Sequence, residues 1–336
     1  MIFAKQIEKI YRKQLFGRCD DNGVARYFRA EDFPGLQREP YGFAAKAGHS
    51  LQGYLYHYGD PIPGRLVVFD HGMGGGHRSY MKEIEMLARH GFMVFAYDHT
   101  GCMESGGDCT NGFAQSLNDL DTCLTVLKAD PRFADVVFSV VGHSWGAFST
   151  MNVTALHPEI RHAVAMCGFV SVSQMLHQNF GGILKGFYDH IYELEARTNP
   201  EYVKACAVES LGQTKAKVLL IYSADDPLVK KEYHYDKLEK GLSGKENVRL
   251  MLVHGKKHNP NYTEDAVNYL GEYTKALTEK LKKKELISDD RKKAFVDSFD
   301  YKNAGKPCPV PGDTVLKTSF LTNGEFEPMK KSLKDV

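Results

Sequence analysis

The chain has 336 residues, 43% hydrophobic and 25% charged, enough apolar material for one large domain or two modest ones and too much for wholesale disorder. Lys and Arg total 43 against 42 Asp and Glu, a formal charge of +1, which argues against a globally basic nucleic-acid binder. No apolar run reaches the roughly 18 to 20 residues that span a bilayer, and the start, Met1-Ile2-Phe3-Ala4-Lys5-Gln6-Ile7-Glu8-Lys9, carries charges where a signal peptide needs its apolar stretch.

A cytoplasmic protein with no integral membrane segment is therefore the expectation. The 7 cysteines form no C-x-x-C pair, and their odd number cannot close completely into intramolecular bridges. Free thiols fit best. The 14 histidines show neither zinc spacing nor H-E-x-x-H, so no metal and no organic cofactor are expected.

In chain order, residues 1–64 read as an antiparallel section with strand candidates at Tyr27-Phe28 and Gly53-Tyr54-Leu55-Tyr56. Beyond it, short β-branched or aromatic runs alternate with helical periods, the pattern of a parallel sheet covered by helices. Strands are predicted at Leu66 to Asp70, Met93 to Tyr97, Val136 to Val141, His162 to Met166, Lys217 to Tyr222 and Val248 to Val253. Helices are predicted at Tyr80 to Arg89, at Ser116 to Lys128, from Ser144 to Leu156 ahead of Pro158, from near Val229, and after Thr263, whose hydroxyl suits an N-cap. Glu264 and Asp265 at the start of that last helix, and Lys280, Lys282, Lys283 and Lys284 at its end, suit the helix dipole.

Roughly 50 residues separate the strands at 162 and 217, too many for a plain crossover. In them Phe180, Ile183, Leu184, Phe187, Tyr188 and Ile191 recur at helical spacing, which predicts a small helical lid. Residues 303–324 hold Gly305, Pro307, Pro309, Pro311 and Gly312 and read as an irregular extension. The expected organisation is a core of residues 1–168 and 214–284, a lid at 169–213, and a C-terminal extension at 285–336 of unassigned role.

The strongest chemical signal is Gly142-His143-Ser144-Trp145-Gly146, a G-x-S-x-G between a predicted strand and a predicted helix. A serine on so sharp a turn is lifted above the sheet as a nucleophile, and glycines leave room where neighbouring segments approach. A second glycine-rich turn, Asp70-His71-Gly72-Met73-Gly74-Gly75-Gly76-His77, lets backbone N–H groups point into a cavity. The N–H groups of Met73 and Trp145 are the candidates for an oxyanion hole. As a dinucleotide turn this segment is incomplete, because His77 stands where the third glycine belongs.

This order and context resemble the α/β-hydrolase superfamily, in particular its lidded serine esterase, lipase and aminopeptidase-like members, over residues 50 to 283. The resemblance implies an α/β-hydrolase fold: a mostly parallel central sheet flanked by helices, with a small helical lid inserted after the sixth strand. Asp98-His99-Thr100-Gly101-Cys102-Met103-Glu104-Ser105 is similar to the family loop D-x-R-G-x-G-x-S, with Thr100 and Met103 where Arg and Gly often stand. Leu219 to Val229 is similar to the family's strand ending G-x-x-D-x-x-V, with Ser223 in place of Gly. That register implies Asp226 as the triad acid, with Asp225 as competitor. The loop His254-Gly255-Lys256-Lys257-His258 implies His258 as the base, with His254 a structural neighbour. His71, His77, His99 and His143 are read as ordinary packed or solvated histidines.

A serine hydroxyl is a weak nucleophile until a histidine takes its proton, and the histidine needs a carboxylate to fix its tautomer. Ser144, His258 and Asp226 together imply a serine hydrolase acting on a small-molecule acyl ester, including lipid-like ones, with Phe180, Ile183, Leu184 and Phe187 of the lid binding substrate. The alternatives are an amidase or aminopeptidase, with Glu104, Glu193 or Glu195 reading the amine, an acyltransferase on the same triad, and a non-catalytic binding scaffold. No nucleic-acid partner is expected, and the sequence leaves the oligomeric state open.

Overall fold

The computed structural model describes residues 2–24 and 28–299, the side chains of Ile2 and Ile183 excepted. Eight strands form one sheet: β1 (Leu36–Ala44), β2 (Ser50–Tyr58), β3 (Arg65–Asp70), β4 (Met93–Tyr97), β5 (Val137–His143), β6 (His162–Met166), β7 (Lys217–Ser223) and β8 (Val248–Val253). Their order is β1-β2-β4-β3-β5-β6-β7-β8. β2 runs antiparallel to both neighbours and all other pairs are parallel. The parallel strands are buried on both faces, which is why they read as unbroken apolar runs.

Alternate residues of each strand feed two separate cores. Leu66, Val68, Val140 and Leu220 belong to one, with helices α3 (Gln115–Ala129) and α4 (Trp145–Leu156) supplying Leu120, Leu124 and Phe148. Val67, Phe69, Val141 and Ile221 belong to the other, where helix α2 (Met81–Arg89) supplies Ile84 and Leu87. The fold is thus a helix–sheet–helix sandwich.

Register places the loops that follow the strands. Asp70 pairs with Gly142, His143 with Met166, Met166 with Ile221, and Ser223 with Val253. The C-terminal ends of β3, β5, β6, β7 and β8 therefore finish level, at the rim where open α/β sheets bind ligands.

Between β6 and β7 lie α5 (Val172–Asn179), a 3-10 helix (Gly182–Phe187), α6 (Tyr188–Thr198) and α7 (Ala207–Gln213). The predicted single apolar stripe is split here. Gly181, Gly182 (φ +58°) and Gly186 interrupt the α geometry, so Phe187 and Ile191 do not share one continuous helix with Phe180. Helix α8 (Tyr235–Gly241) begins later than the expected start near Val229. Helix α9 (Glu264–Lys282) is capped by the Thr263 hydroxyl accepting from the Ala266 N–H, as the sequence predicts.

Two helices were not predicted. Helix α1 (Ile2–Leu15) docks through Ile7, Tyr11 and Leu15. Helix α10 (Asp289–Ser298) sits within the expected C-terminal extension and packs Phe295 5.3 Å from the Tyr273 ring of α9. Tyr27 and the glycine- and proline-rich stretch 303–324 fall outside the described residues.

The closest approach in the sandwich lies under the G-x-S-x-G turn. A Cβ on Gly146 would stand 2.1 Å from the Asp70 carbonyl oxygen and 2.8 Å from that of His71, both backbone atoms that cannot swing aside. Gly146→Ala is expected to cost about 3 kcal/mol or more in chemical denaturation. Gly212, in α7 with nothing within 4 Å of an added Cβ, is the contrast. Gly212→Ala is expected to be neutral or to stabilise by up to about 1 kcal/mol through helix propensity.

Candidate active site

Ser144 follows β5 and caps α4 with φ +56° and ψ −111°, a conformation that costs a non-glycine residue energy and persists only where the surroundings fix it. They do so at both ends. The Ser144 N–H donates to the Met166 carbonyl at 2.8 Å, and the Ser144 carbonyl accepts from Ala147 and Phe148, each at 3.1 Å. The glycine turn after β3 lies beside it, an added Cβ on Gly72 falling 3.4 Å from Ser144 Cβ. Trp145 and Gly146 open α4, so their N–H groups have no intrahelical acceptor. Met73 is half-buried in the neighbouring turn.

Two acids end β7, and the geometry separates them. Asp226 Oδ2 lies 2.7 Å from His258 Nδ1, while Asp226 Oδ1 accepts from the N–H groups of Leu228 (2.8 Å) and Val229 (3.0 Å). Burial alone would raise the Asp226 carboxyl. The hydrogen bond and charge of His258, with those two amides, outweigh burial and hold it below the usual carboxylate range. Asp225 instead accepts from Ser223 Oγ at 2.6 Å and from the N–H groups of Lys257 and Gly255. It shapes the loop that carries His258. His254 is exposed just past β8.

A relay through His143 ties this loop to the glycine turn. His143 Nε2 lies 2.7 Å from the His258 carbonyl oxygen, and its Nδ1 lies 2.9 Å from Tyr80 Oη, which is 3.0 Å from the Gly72 N–H. A carbonyl can only accept, so Nε2 carries the proton, Nδ1 accepts from the Tyr80 hydroxyl, and the Tyr80 oxygen accepts from Gly72. Burial, then the neighbouring His258, pushes His143 down to about 3 and keeps the ring neutral. His143 thus bridges the two loops rather than standing as an ordinary packed histidine. His143→Phe is expected to lower kcat about 10- to 100-fold with KM little changed, since small misplacement of a catalytic group is costly. His143→Gln, whose amide can donate to His258 and accept from Tyr80, is expected to recover most of that loss; equal activity of both variants would remove the positioning role.

Beneath the turn lies a buried charge cluster. His99 Nδ1 is 3.2 Å from Asp119 Oδ2, and its Nε2 is 3.0 Å from Asp70 Oδ1, though off the line of a good hydrogen bond. Burial opposes charge on His99, but the two carboxylates outweigh it and lift the ring to about 10. Asp70 also accepts from the hydroxyls of Tyr97 and Ser149. The His99 N–H donates to His71 Nε2 at 2.9 Å. The histidine pair thus ties the glycine turn after β3 to the loop after β4.

The four lid residues have different surroundings. Phe180 packs on the larger core 6.1 Å from the Tyr11 ring. Leu184 is 39% exposed, Phe187 is half-buried, and the side chain of Ile183 lies outside those described. The acids considered for reading an amine are engaged elsewhere or exposed. Glu195 is buried, accepts from the Tyr11 hydroxyl at 2.5 Å and the Phe113 N–H at 3.0 Å, and is raised by burial to about 7. Glu104 pairs with Arg78 and accepts from the Tyr54 hydroxyl. Glu193 faces solvent.

A family profile described as serine aminopeptidase, S33, matches residues 61–205. Among solved structures, an esterase of Pyrococcus furiosus superposes with a TM-score of 0.56 at 18% identity, covering 80% of this chain and 98% of its own. The chain has the α/β-hydrolase fold. An α/β hydrolase of a Penicillium species is similar at a TM-score of 0.51 and 17% identity, over 78% of this chain and 99% of that one. An acylaminoacyl peptidase of Pyrococcus horikoshii is similar at a TM-score of 0.50 and 18% identity, over 66% of this chain and 37% of that one. No curated protein sequence matches.

Among the described residues, one group of metal-ligand type, Cys167, Asp226 and His258, has atoms within 4.8 Å of one another. Cys167 follows β6 with φ +50°, and its fully buried thiol bonds to the Asp226 carboxylate. It carries no signal in the sequence, because nothing in the spacing ties position 167 to position 226. No described helix is long and apolar enough to cross a membrane.

Proposed function

We propose that this chain, with its α/β-hydrolase fold, cleaves carboxylic esters through an acyl-enzyme on Ser144. The observation that carries this reading is the 2.7 Å contact between His258 Nδ1 and Asp226 Oδ2, on the same rim as the strained turn at Ser144. Ser144 Oγ forms a bond to the substrate carbonyl carbon as its proton passes to His258 Nε2. The negative oxygen that results is held by the N–H groups of Met73 and Trp145. Collapse of this intermediate breaks the ester C–O bond, and His258 returns the proton to the leaving alcohol. Water, deprotonated by His258, then releases the acid. Throughout, Asp226 holds the His258 tautomer and balances the imidazolium charge.

Residues 169–213 serve in this proposal as the lid that selects the acyl group, with Phe180, Ile183, Leu184 and Phe187 as its apolar contribution. An ester is favoured over an aminoacyl amide because the acids considered for holding a free amine are engaged elsewhere or exposed: Glu195 is bound to Tyr11 and Phe113, Glu104 to Arg78 and Tyr54, and Glu193 faces solvent. The test is a panel of acyl esters of graded chain length beside aminoacyl anilides. Ester turnover with a chain-length optimum is expected, with anilides at least about 100-fold slower in kcat/KM. Faster cleavage of the anilides would overturn the ester assignment.

A further inference from the structure

Away from Ser144, beside the antiparallel edge of the sheet, a cavity of about 310 Å³ is lined by Arg29, Arg38, Arg78, Glu31 and the buried Tyr56, among others. Three separate elements converge on it. Arg38 on β1 stands directly opposite Tyr56 on β2 in the sheet register. Arg78 comes from the 3-10 turn that follows the glycine loop, and Arg29 precedes the 3-10 turn Ala30–Asp32.

The charges in this cavity are unbalanced. Three guanidiniums face one lining carboxylate, Glu31, which is 69% exposed and only 3.9 Å from Arg38 at its nearest. Arg78 is also ion-paired with Glu104, which lies outside the lining. The Arg38 and Arg78 side chains are only about one-third exposed, and the Arg38 guanidinium is held 4.7 Å over the Tyr54 ring. Burial raises the Tyr56 hydroxyl, while Arg38 and Arg78 both pull the other way, as expected if both cations face it. Half-buried like charges repel one another more strongly than solvated ones. With Arg78 paired to Glu104 and Glu31 near Arg38, one positive charge is left in surplus, which an oxyanion would complement.

We propose that this arginine pocket binds a phosphate-bearing ligand. The negative charge of a phosphate monoester offsets the surplus, its oxygens fit the planar guanidinium forks, and the Tyr56 hydroxyl adds a polar group to the floor. The volume holds a phosphate group with a small organic moiety attached. The pocket is also wired toward the glycine turn: Tyr56 Oη lies 3.0 Å from His77 Nε2, and His77 Nδ1 lies 2.7 Å from Asp98 Oδ1.

The test is calorimetric titration of the full chain with inorganic phosphate and with glycerol phosphate at fixed ionic strength, chloride serving as the reference anion. Saturable binding is expected, weakened at least about tenfold in Arg38→Gln and in Arg29→Gln, with melting temperatures in chloride unchanged. Tighter binding of glycerol phosphate than of phosphate identifies a phosphomonoester pocket, and equal binding identifies a site for the free anion. Binding no greater than that of chloride, or identical in wild type and both variants, overturns the proposal. These readouts do not involve turnover, so their failure would leave the ester-hydrolase reading intact.

Discussion

Ser144→Ala is expected to lower kcat for ester hydrolysis about 10⁵- to 10⁶-fold, the largest effect of any single substitution in this protein. Removing the hydroxyl removes the only atom that bonds to the acyl group, and triad members act as a unit, so loss of one forfeits most of what the set provides. The alanine variant is expected to stay folded, because the Ser144 backbone bonds to Met166, Ala147 and Phe148 do not use the side chain. Residual hydrolysis above water is expected from the amides of Met73 and Trp145 alone. Measuring kcat on an ester substrate, with near-UV circular dichroism to verify the fold, checks both statements.

The second large effect is at the acid. Asp226→Asn keeps the shape of the side chain but presents an amide N–H toward His258 Nδ1, favouring the tautomer whose Nε2 can no longer accept the serine proton while Nδ1 is engaged differently. A fall in kcat of about 10⁴ is expected. Asp225→Asn is the internal control, since Asp225 bonds to Ser223 and to the loop amides of Gly255 and Lys257 rather than to the imidazole. A loss below about tenfold is expected there, arising only from loosening of the loop. The reverse order of effects, measured in parallel on one ester, would exchange the roles of the two acids.

The parallel half of the sheet was readable because strands buried on both faces are written as continuous apolar runs, as in Leu66 to Phe69 and Val164 to Met166. The edge strand β1 was not, because most of its residues are solvent-exposed and Gln37-Arg38-Glu39-Pro40 shows neither alternation nor an apolar run. Proline is tolerated there since an edge strand need not satisfy every ladder bond. Helix α1 carries a legible signal in Ile7, Tyr11 and Leu15 at fourfold spacing, which favours a helix over the antiparallel section expected for residues 1–64. Helix α10 is likewise marked, by Ser288 capping ahead of Asp289 and Asp290. The lid stripe failed for a local reason: three glycines break the helix that the apolar spacing suggested.

At the candidate site, the motif around Ser144 and the acids after β7 could be found from sequence because each lies where a strand ends. Neighbours such as Asp225 and Asp226 could not be separated that way, for adjacent side chains leave the chain in different directions that only the packed loop defines. The Tyr80–His143–His258 relay was equally invisible. Its partners lie 63 and 115 residues apart, and no periodicity links them.

The proposed acyl-enzyme requires the hydroxyl of Ser144 to become covalently bound during turnover. Incubation with a fluorophosphonate ester followed by peptide mass spectrometry tests it most directly. A single adduct on the peptide bearing Ser144, lost in Ser144→Ala and strongly slowed in Asp226→Asn, is the result expected. An adduct on another residue, or ester turnover that persists with Ser144 unmodified, would contradict it.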